Sequence, residues 1–361
     1  MIRRKNNNCE EIITVILIKY RLELDSSLYL FKKGWNIIMR KDKKVVFMGT
    51  PEFASKSLEA LVESGYNVVA CFTNADKPSG RGLKLKASPV KECAIRYNIP
   101  VYQPKKIRKN DEILEILKSF DADFFVVVAY GKILPQEVLD IPKLGSINVH
   151  ASLLPKYRGA APMQWALING EDKTGVTTMF MDAGIDTGDM LLKEEIQITD
   201  EDNLETIHDK LMIIGSKLLI NTLDGIVDGT VKRIKQGDDF CLSPMIHREM
   251  TKIDFNKTSR EIFNFVRGLS PFPGTYMESD EGKKYKVFNV KMLTNEEIGK
   301  LKIDNFENAK NGEVVYVSKD SLCIKCKDFA VSILQIQPQN SKRMDIRSFL
   351  AGNKIQIGDK F

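Results

Sequence analysis

Asn148 and His150 stand two residues apart at the end of an apolar run, Ser146 to His150, and lead into Ala151-Ser152-Leu153-Leu154-Pro155-Lys156-Tyr157-Arg158-Gly159-Ala160-Ala161-Pro162. Side chains alternate along a strand, so an amide and an imidazole at these positions project together into one small volume. Asparagine supplies an uncharged donor, and histidine donates as imidazolium. The pair suits a carbonyl oxygen that gathers negative charge under attack. The competing account is a buried strand histidine bonded to backbone. The chain has only three histidines, and this one precedes a loop rich in turn-forming and basic residues, which strengthens the chemical account.

Other segments carry weaker signals. Met181-Asp182-Ala183-Gly184-Ile185-Asp186-Thr187-Gly188-Asp189 follows a second apolar run and, taken alone, reads as a turn. Its Asp186-Thr187-Gly188 spells the aspartic protease triplet, but that chemistry needs two carboxylates sharing a proton, and one copy stands here in an α/β segment. Asp76 to Lys86 is a glycine-hinged basic stretch, by itself a solvated connection. The turn Gly49-Thr50-Pro51-Glu52-Phe53-Ala54 lacks the second and third glycines of a dinucleotide fingerprint, which disfavours a nicotinamide enzyme. Cys323 and Cys326 form a CxxC pair with no further ligands nearby, so no metal is assigned.

The elements that must position these residues alternate. Val45 to Met48 reads as a strand, Phe53 to Ser64 as a helix, and Val68 to Thr73 as a strand. Helices at Ser88 to Tyr97 and Asp111 to Ser119 lead to Phe124 to Ala129, an apolar run typical of a strand buried on both faces. A helix at Ala161 to Asn169, strands at Gly175 to Met181 and Met190 to Ile198, and a long helix from Asn203 to Leu223 follow. The expectation is a Rossmann-like α/β domain on a mostly parallel sheet over residues 41–230. A linker at 231–249, where apolar periodicity fades, leads to residues 250–361. There a helix at Ser259 to Gly268 and strands at Tyr285 to Leu293, Glu313 to Val317, Leu322 to Lys325 and Phe329 to Ile336 suggest an open β-barrel of the oligonucleotide-binding type. Ser341 is expected to cap a short last helix ending at Gly352.

With 361 residues, 43% of them hydrophobic and 28% charged, the chain has the makings of about two globular domains. Its six scattered cysteines favour a reducing compartment over a disulfide framework. Residues 41–230 hold 23 Lys and Arg against 27 Asp and Glu, whereas 250–361 hold 19 against 14. The second domain is therefore the basic half, the sign that a phosphate backbone requires. Residues 1–40 contain an apolar run, Ile12 to Ile18, too short to span a membrane, and they lack a signal-peptide cleavage pattern. The expectation is that translation starts at Met39, because a strand begins a few residues later and Lys32-Lys33-Gly34 must be encoded by a purine-rich run. Amino-terminal sequencing of the native protein would reject this by finding Met1 or Ile2.

Together these segments resemble a known family. Asn148 to Pro155, Arg158-Gly159-Ala160-Ala161-Pro162 and Met181 to Asp189 are similar to the formyltransferase signature of the methionyl-tRNA formyltransferases. Phe47 to Ala54 matches as well, and the resemblance extends over the chain from Lys43, including Ser243-Pro244-Met245-Ile246 and Lys252-Ile253-Asp254-Phe255. It implies formyl transfer from 10-formyltetrahydrofolate to the α-amine of methionyl initiator tRNA, in the cytoplasm, by a monomer. It also implies that Asn148, His150 and Asp186 form the catalytic group, with Asp186 favouring the charged form of His150 or relaying protons through water. No acyl-enzyme is needed, since a free amine is already a nucleophile. Ser152, Leu153, Leu154 and Pro155 are implied to contact the folate, and Tyr130 and Gly131 to border its pocket. The basic stretch is implied to reach the tRNA acceptor stem through Arg81, with Lys84 and Lys86 adding charge. Three alternatives are a formyltransferase acting on a small amine such as glycinamide ribonucleotide or an amino-sugar nucleotide, a formyltetrahydrofolate hydrolase, and a non-catalytic RNA-binding protein.

Overall fold

Val45 to Met48 and Phe124 to Val126 are fully buried, as strands covered on both faces must be. They lie in a computed structural model that describes residues 40, 42–79, 84–303 and 306–361. The chain forms two compact units, residues up to 147 with 220–231, and residues 148–219 with 232–361.

The first unit runs β1 (Lys44–Gly49), α1 (Glu52–Glu63), β2 (Asn67–Phe72), β3 (Lys77–Ser79), β4 (Lys84–Lys86), α2 (Pro89–Arg96), β5 (Val101–Tyr102), α3 (Asp111–Ser119), β6 (Phe124–Val128), α4 (Gln136–Leu139) and the start of β7 (Gly145–His150). Its strand order is β5-β2-β1-β6-β7, with β1 parallel to both β2 and β6, and β2 parallel to β5. A side chain at Gly49 would meet Ala54 Cβ at 2.7 Å and the Val128 carbonyl at 2.8 Å, so this glycine serves the close packing of α1 on the strand ends. Arg40 donates to Asp224 Oδ1 at 2.8 Å and to the Ser64 carbonyl at 3.1 Å, and the Tyr66 hydroxyl donates to the same carboxylate at 2.8 Å. The basic stretch differs from the expected plain loop. Its arms β3 and β4 pair antiparallel, Lys77 opposite Lys86, and leave Leu85 72% exposed.

The second unit takes β7 onward through α5 (Pro162–Ile168), β8 (Lys173–Phe180), β9 (Met190–Gln197) and most of α6 (Leu204–Val227). Its strand order there is β7-β8-β9, and β8 and β9 are antiparallel. A turn before α6 anchors α7 (Ser259–Gly268): buried Arg267 donates to the Thr199 carbonyl at 2.6 Å and to Asn264 Oδ1 at 2.9 Å. Asp202, itself buried, accepts from Lys210 Nζ at 2.6 Å, Thr206 Oγ1 at 2.8 Å and Thr199 N–H at 2.9 Å. Burial opposes its charge, but these donors, Lys210 foremost, hold its carboxyl down at about 2.

Beyond α7 come β10 (Thr275–Glu278), β11 (Lys284–Met292), α8 (Asn295–Leu301), β12 (Val314–Val317), β13 (Leu322–Lys325), β14 (Ala330–Pro338), β15 (Met344–Asp345) and α9 (Ile346–Gly352). The strands form one antiparallel sheet in the order β10-β11-β14-β13-β12, with β15 on β14. Strands β10 and β12 stand at its two ends, so the sheet is open. Its core packs Ile262 and Val266 of α7 with Met277, Val287, Ile324, Ile333 and Phe349. The Thr258 and Glu261 capping box starts α7 where expected. The last helix begins later than Ser341 suggests. Met344 and Asp345 are drawn into pairing with β14, and Asp345 becomes the cap, accepting from Ser348 N–H at 2.7 Å. Cys323 and Cys326 are buried free thiols, and burial pushes Cys326 up to about 12.

Candidate active site

Strand β7 ends at His150, a buried residue only 7% exposed. Its Nε2 lies 2.9 Å from the Tyr157 carbonyl oxygen. A carbonyl can only accept, so Nε2 carries a proton and donates it. The remaining nitrogen, Nδ1, faces Asp186 Oδ2 at 3.6 Å, beyond a direct hydrogen bond. The structure therefore brings His150 and Asp186 side by side, with Nδ1 the ring nitrogen that faces the carboxylate.

Asp186 sits on the loop after β8 with φ of +53°, a conformation that costs a non-glycine residue about 1–3 kcal/mol and needs support from its surroundings. Gly159 N–H donates to Asp186 Oδ2 at 2.8 Å, and Gln236 Nε2 donates to the Asp186 and Gly188 carbonyls, each at 2.8 Å. Asp182 Oδ1 accepts from Thr187 Oγ1 at 2.6 Å and closes the loop from the other side. A Cβ at Gly188 would lie 1.8 Å from the Phe180 carbonyl, so no other residue fits without rebuilding that turn. The glycines and acids that read as a turn do form one, and the turn presents Asp186 to the histidine.

Asn148 is half-buried on β7. Its Oδ1 is buried and has no hydrogen-bond partner among the described residues. Leaving such an atom unsatisfied costs about 1–3 kcal/mol, which a bound donor would recover.

The loop after His150 is held from within. Ser152 is fully buried and donates to the Lys156 carbonyl at 2.7 Å. Thr177 Oγ1 donates to the Ser152 carbonyl at 2.7 Å and accepts from Leu154 N–H at 3.1 Å. Lys193 takes the Leu154 carbonyl, and burial lowers its ammonium. The Leu154–Pro155 peptide is cis. Leu154 is fully buried, while Leu153 and Pro155 keep partial exposure. Of the four residues, those two keep surface open to a ligand.

In the first unit, Tyr130 and Gly131 follow β6. The Tyr130 carbonyl accepts from Asn74 Nδ2 at 2.9 Å, and Gly131 takes φ of +73°. The Tyr130 side chain is 1% exposed, and its hydroxyl has no partner among the described residues. Burial pushes that hydroxyl well above the usual tyrosine range. Lys86 is exposed on β4; Arg81 lies outside the described residues, as does the Lys84 side chain.

Sequence reasoning missed the contribution of the segment it took for a linker. Ser243 Oγ donates at 3.0 Å to the same Tyr157 carbonyl that holds His150. Ser243 N–H donates to the Arg158 carbonyl at 2.7 Å, and Arg158 N–H to the Cys241 carbonyl at 3.0 Å. Gly159, with φ of +124°, lies so close that a Cβ would meet the Ser243 carbonyl at 2.7 Å. The Ser243-Pro244 match within the family resemblance was the available signal.

Fold and site together define a formyl transferase. The family described as formyl transferase matches residues 43–223, and its C-terminal domain family matches residues 245–354. The methionyl-tRNA formyltransferase of Caldanaerobacter subterraneus subsp. tengcongensis is 46% identical over 316 residues, 87% of this chain and 98% of that one. This chain belongs to the methionyl-tRNA formyltransferase family. Among solved structures, HypX from Aquifex aeolicus in complex with tetrahydrofolic acid is similar with a TM-score of 0.55 at 16% identity, over 88% of this chain and 50% of that one. The N-formyltransferase from Helicobacter canadensis, in complex with folinic acid and dTDP-3-aminofucose, gives 0.57 at 20% identity, over 81% and 98%. At these identities the likeness is one of fold.

Proposed function

We propose that the chain transfers the formyl group of 10-formyltetrahydrofolate to the α-amine of methionyl initiator tRNA, with Asn148, His150 and Asp186 at the reacting centre. The observation that carries the residue roles is the environment of His150: a carbonyl holds the Nε2 proton, and Nδ1 is left beside a carboxylate. The neutral amine attacks the formyl carbon. As the C–N bond forms, Nδ1 takes the amine proton, and the imidazolium is balanced by Asp186. The same proton then passes to N10 of the folate, whose bond to the formyl carbon breaks. Asn148 accepts an N–H of the amine at its unpartnered Oδ1, and its Nδ2 donates to the oxyanion. Leu153, Pro155, Tyr130 and Gly131 contribute to folate binding, with Ser152 and Leu154 setting the shape of their loop.

The domain assignment is 41–230 for catalysis and 250–361 for tRNA, joined by 231–249. Support for the second comes from its basic charge and from a cavity of about 760 Å³ lined by Arg248, Phe272, Tyr276, Lys284 and Lys286 among others. Phe272 is 78% exposed, and Lys284 lies 5.1 Å from the Tyr276 ring. Cations interleaved with aromatic faces suit phosphates and unpaired bases. No helix of the described residues is long and apolar enough to cross a membrane, and a cytoplasmic site of action accords with a tRNA substrate.

Formyl transfer from 10-formyltetrahydrofolate tests the proposal, with methionyl initiator tRNA, elongator tRNA, glycinamide ribonucleotide and water offered as acceptors. Transfer to the initiator alone is expected. Formate release, or transfer to the small amine, would overturn the acceptor assignment. Strands β3 and β4 pair antiparallel, and Arg81 stands between them in the sequence. Arg81→Ala is expected to raise KM for charged tRNA roughly tenfold, the loss of one good charged contact, and to leave folate binding unchanged. An unaltered KM for tRNA would refute the hairpin's role.

A further inference from the structure

We infer that Gln236, in the segment between the two matched families, is a positioning residue for catalysis: one side chain ties the loop carrying Asp186 to the loop that follows His150. This rests on the catalytic group proposed above. The Gln236 amide donates both its hydrogens, to the Asp186 and Gly188 carbonyls at 2.8 Å each, and its Oε1 accepts from Arg158 Nε at 2.9 Å. Arg158 is buried and adjoins Gly159, whose N–H holds Asp186 Oδ2. The carboxylate is thus fixed twice, through its own oxygen by Gly159 and through its backbone by Gln236, and Arg158 couples the two fastenings.

The segment has the fixings such a role requires. Ile234 and Met190 exchange backbone hydrogen bonds of 2.8 and 2.9 Å. Arg233 Nε donates to Asp189 Oδ2 at 2.9 Å, and its guanidinium lies 4.3 Å from the Phe180 ring. Further along, Phe240 covers the Arg158 guanidinium at 4.5 Å. Two hydrogen bonds donated to backbone carbonyls and one accepted from a buried arginine, all at a single amide, exceed what a solvated linker needs. A carboxamide is also the side chain whose two donors and one acceptor match two carbonyls and an arginine. A carboxylate there would face two carbonyl oxygens and lose both donors.

Because Asp186 stands in a conformation that its surroundings must enforce, loss of Gln236 lets the carboxylate leave its place beside Nδ1. A misplacement of about 1 Å costs about a hundredfold in rate. The experiment is a double-mutant cycle of Gln236→Ala and Asp186→Asn in the full chain, read as kcat, KM for each substrate and melting temperature, with Gln236→Glu as a second variant. The expected result is a kcat reduced roughly 30- to 100-fold by Gln236→Ala and at least as much by Gln236→Glu. Both KM values should stay within about twofold, and no further loss should appear when Gln236→Ala is added to Asp186→Asn. Near-normal kcat in both Gln236 variants, with Asp186→Asn slow, would overturn the inference alone. So would a full multiplicative loss in the double mutant. Near-normal kcat in Asp186→Asn itself would overturn the catalytic assignment beneath it.

Discussion

His150→Ala lowers kcat by a factor on the order of 10²–10³, the usual effect of removing a principal group that meets charge in the transition state. KM for folate and for charged tRNA should change little, since the ring touches neither substrate's distant contacts. The substitution removes a buried ring and its bond to the Tyr157 carbonyl, at a stability cost of about 1–3 kcal/mol. That carbonyl keeps Ser243 Oγ as one of its two donors, and the loop's other hydrogen bonds are untouched, so the fold should survive. His150→Gln makes the comparison sharper. Glutamine can supply an N–H to Tyr157 but has no second nitrogen that takes up a proton at neutral pH. Comparable loss in both variants, measured as single-turnover formyl transfer, assigns the effect to proton transfer at Nδ1. Turnover within about threefold of the parent in a folded His150→Gln would remove His150 from the reacting centre.

The parts of this site that sequence reveals are those governed by local rules. A run such as Phe124 to Val128 is apolar throughout because both its faces are covered, and alternation places Asn148 and His150 at one strand end. Thr258 and Glu261 announce the start of α7 because a capping box is a four-residue device. What stayed hidden depends on residues distant in the chain. Tyr157 selects the His150 tautomer through a backbone carbonyl, which no side-chain motif encodes. Gln236 and Ser243 fasten loops some 50 to 86 residues earlier, from a segment whose polar composition reads as a linker because its work is done by polar contacts. The hairpin of β3 and β4 was hidden for another reason. Two three-residue strands are too short to leave a periodicity to detect. Asp345, rather than Ser341, caps α9 because the chain first pairs with β14, a tertiary preference that overrides an equally good local cap.

Asp186→Asn separates charge from shape. The amide keeps an oxygen that can accept from Gly159 N–H, as Asp186 Oδ2 does at 2.8 Å, and both fastenings of the loop by Gln236 persist. A merely structural Asp186 would therefore tolerate the change. With the oxygen committed to Gly159, however, the new NH₂ group turns toward Nδ1 of His150, the position now facing the carboxylate at 3.6 Å. In the neutral ring, whose single proton Nε2 holds for Tyr157, Nδ1 carries the lone pair, and it accepts from the amide instead of from the substrate amine. The variant loses twice: the imidazolium has no balancing charge, and its reactive nitrogen is occupied. The expected fall in kcat is on the order of 10²–10⁴, in the range found where an orienting aspartate is replaced by its amide, with the melting temperature within a few degrees of the parent. Asp186→Ala removes the obstruction along with the charge and also frees the Gly159 N–H, so it should be less stable than Asp186→Asn yet no slower in turnover. An Asp186→Ala variant markedly slower than Asp186→Asn would mean that the carboxylate acts chiefly by holding the loop, and would assign the chemistry to Asn148 and His150 alone.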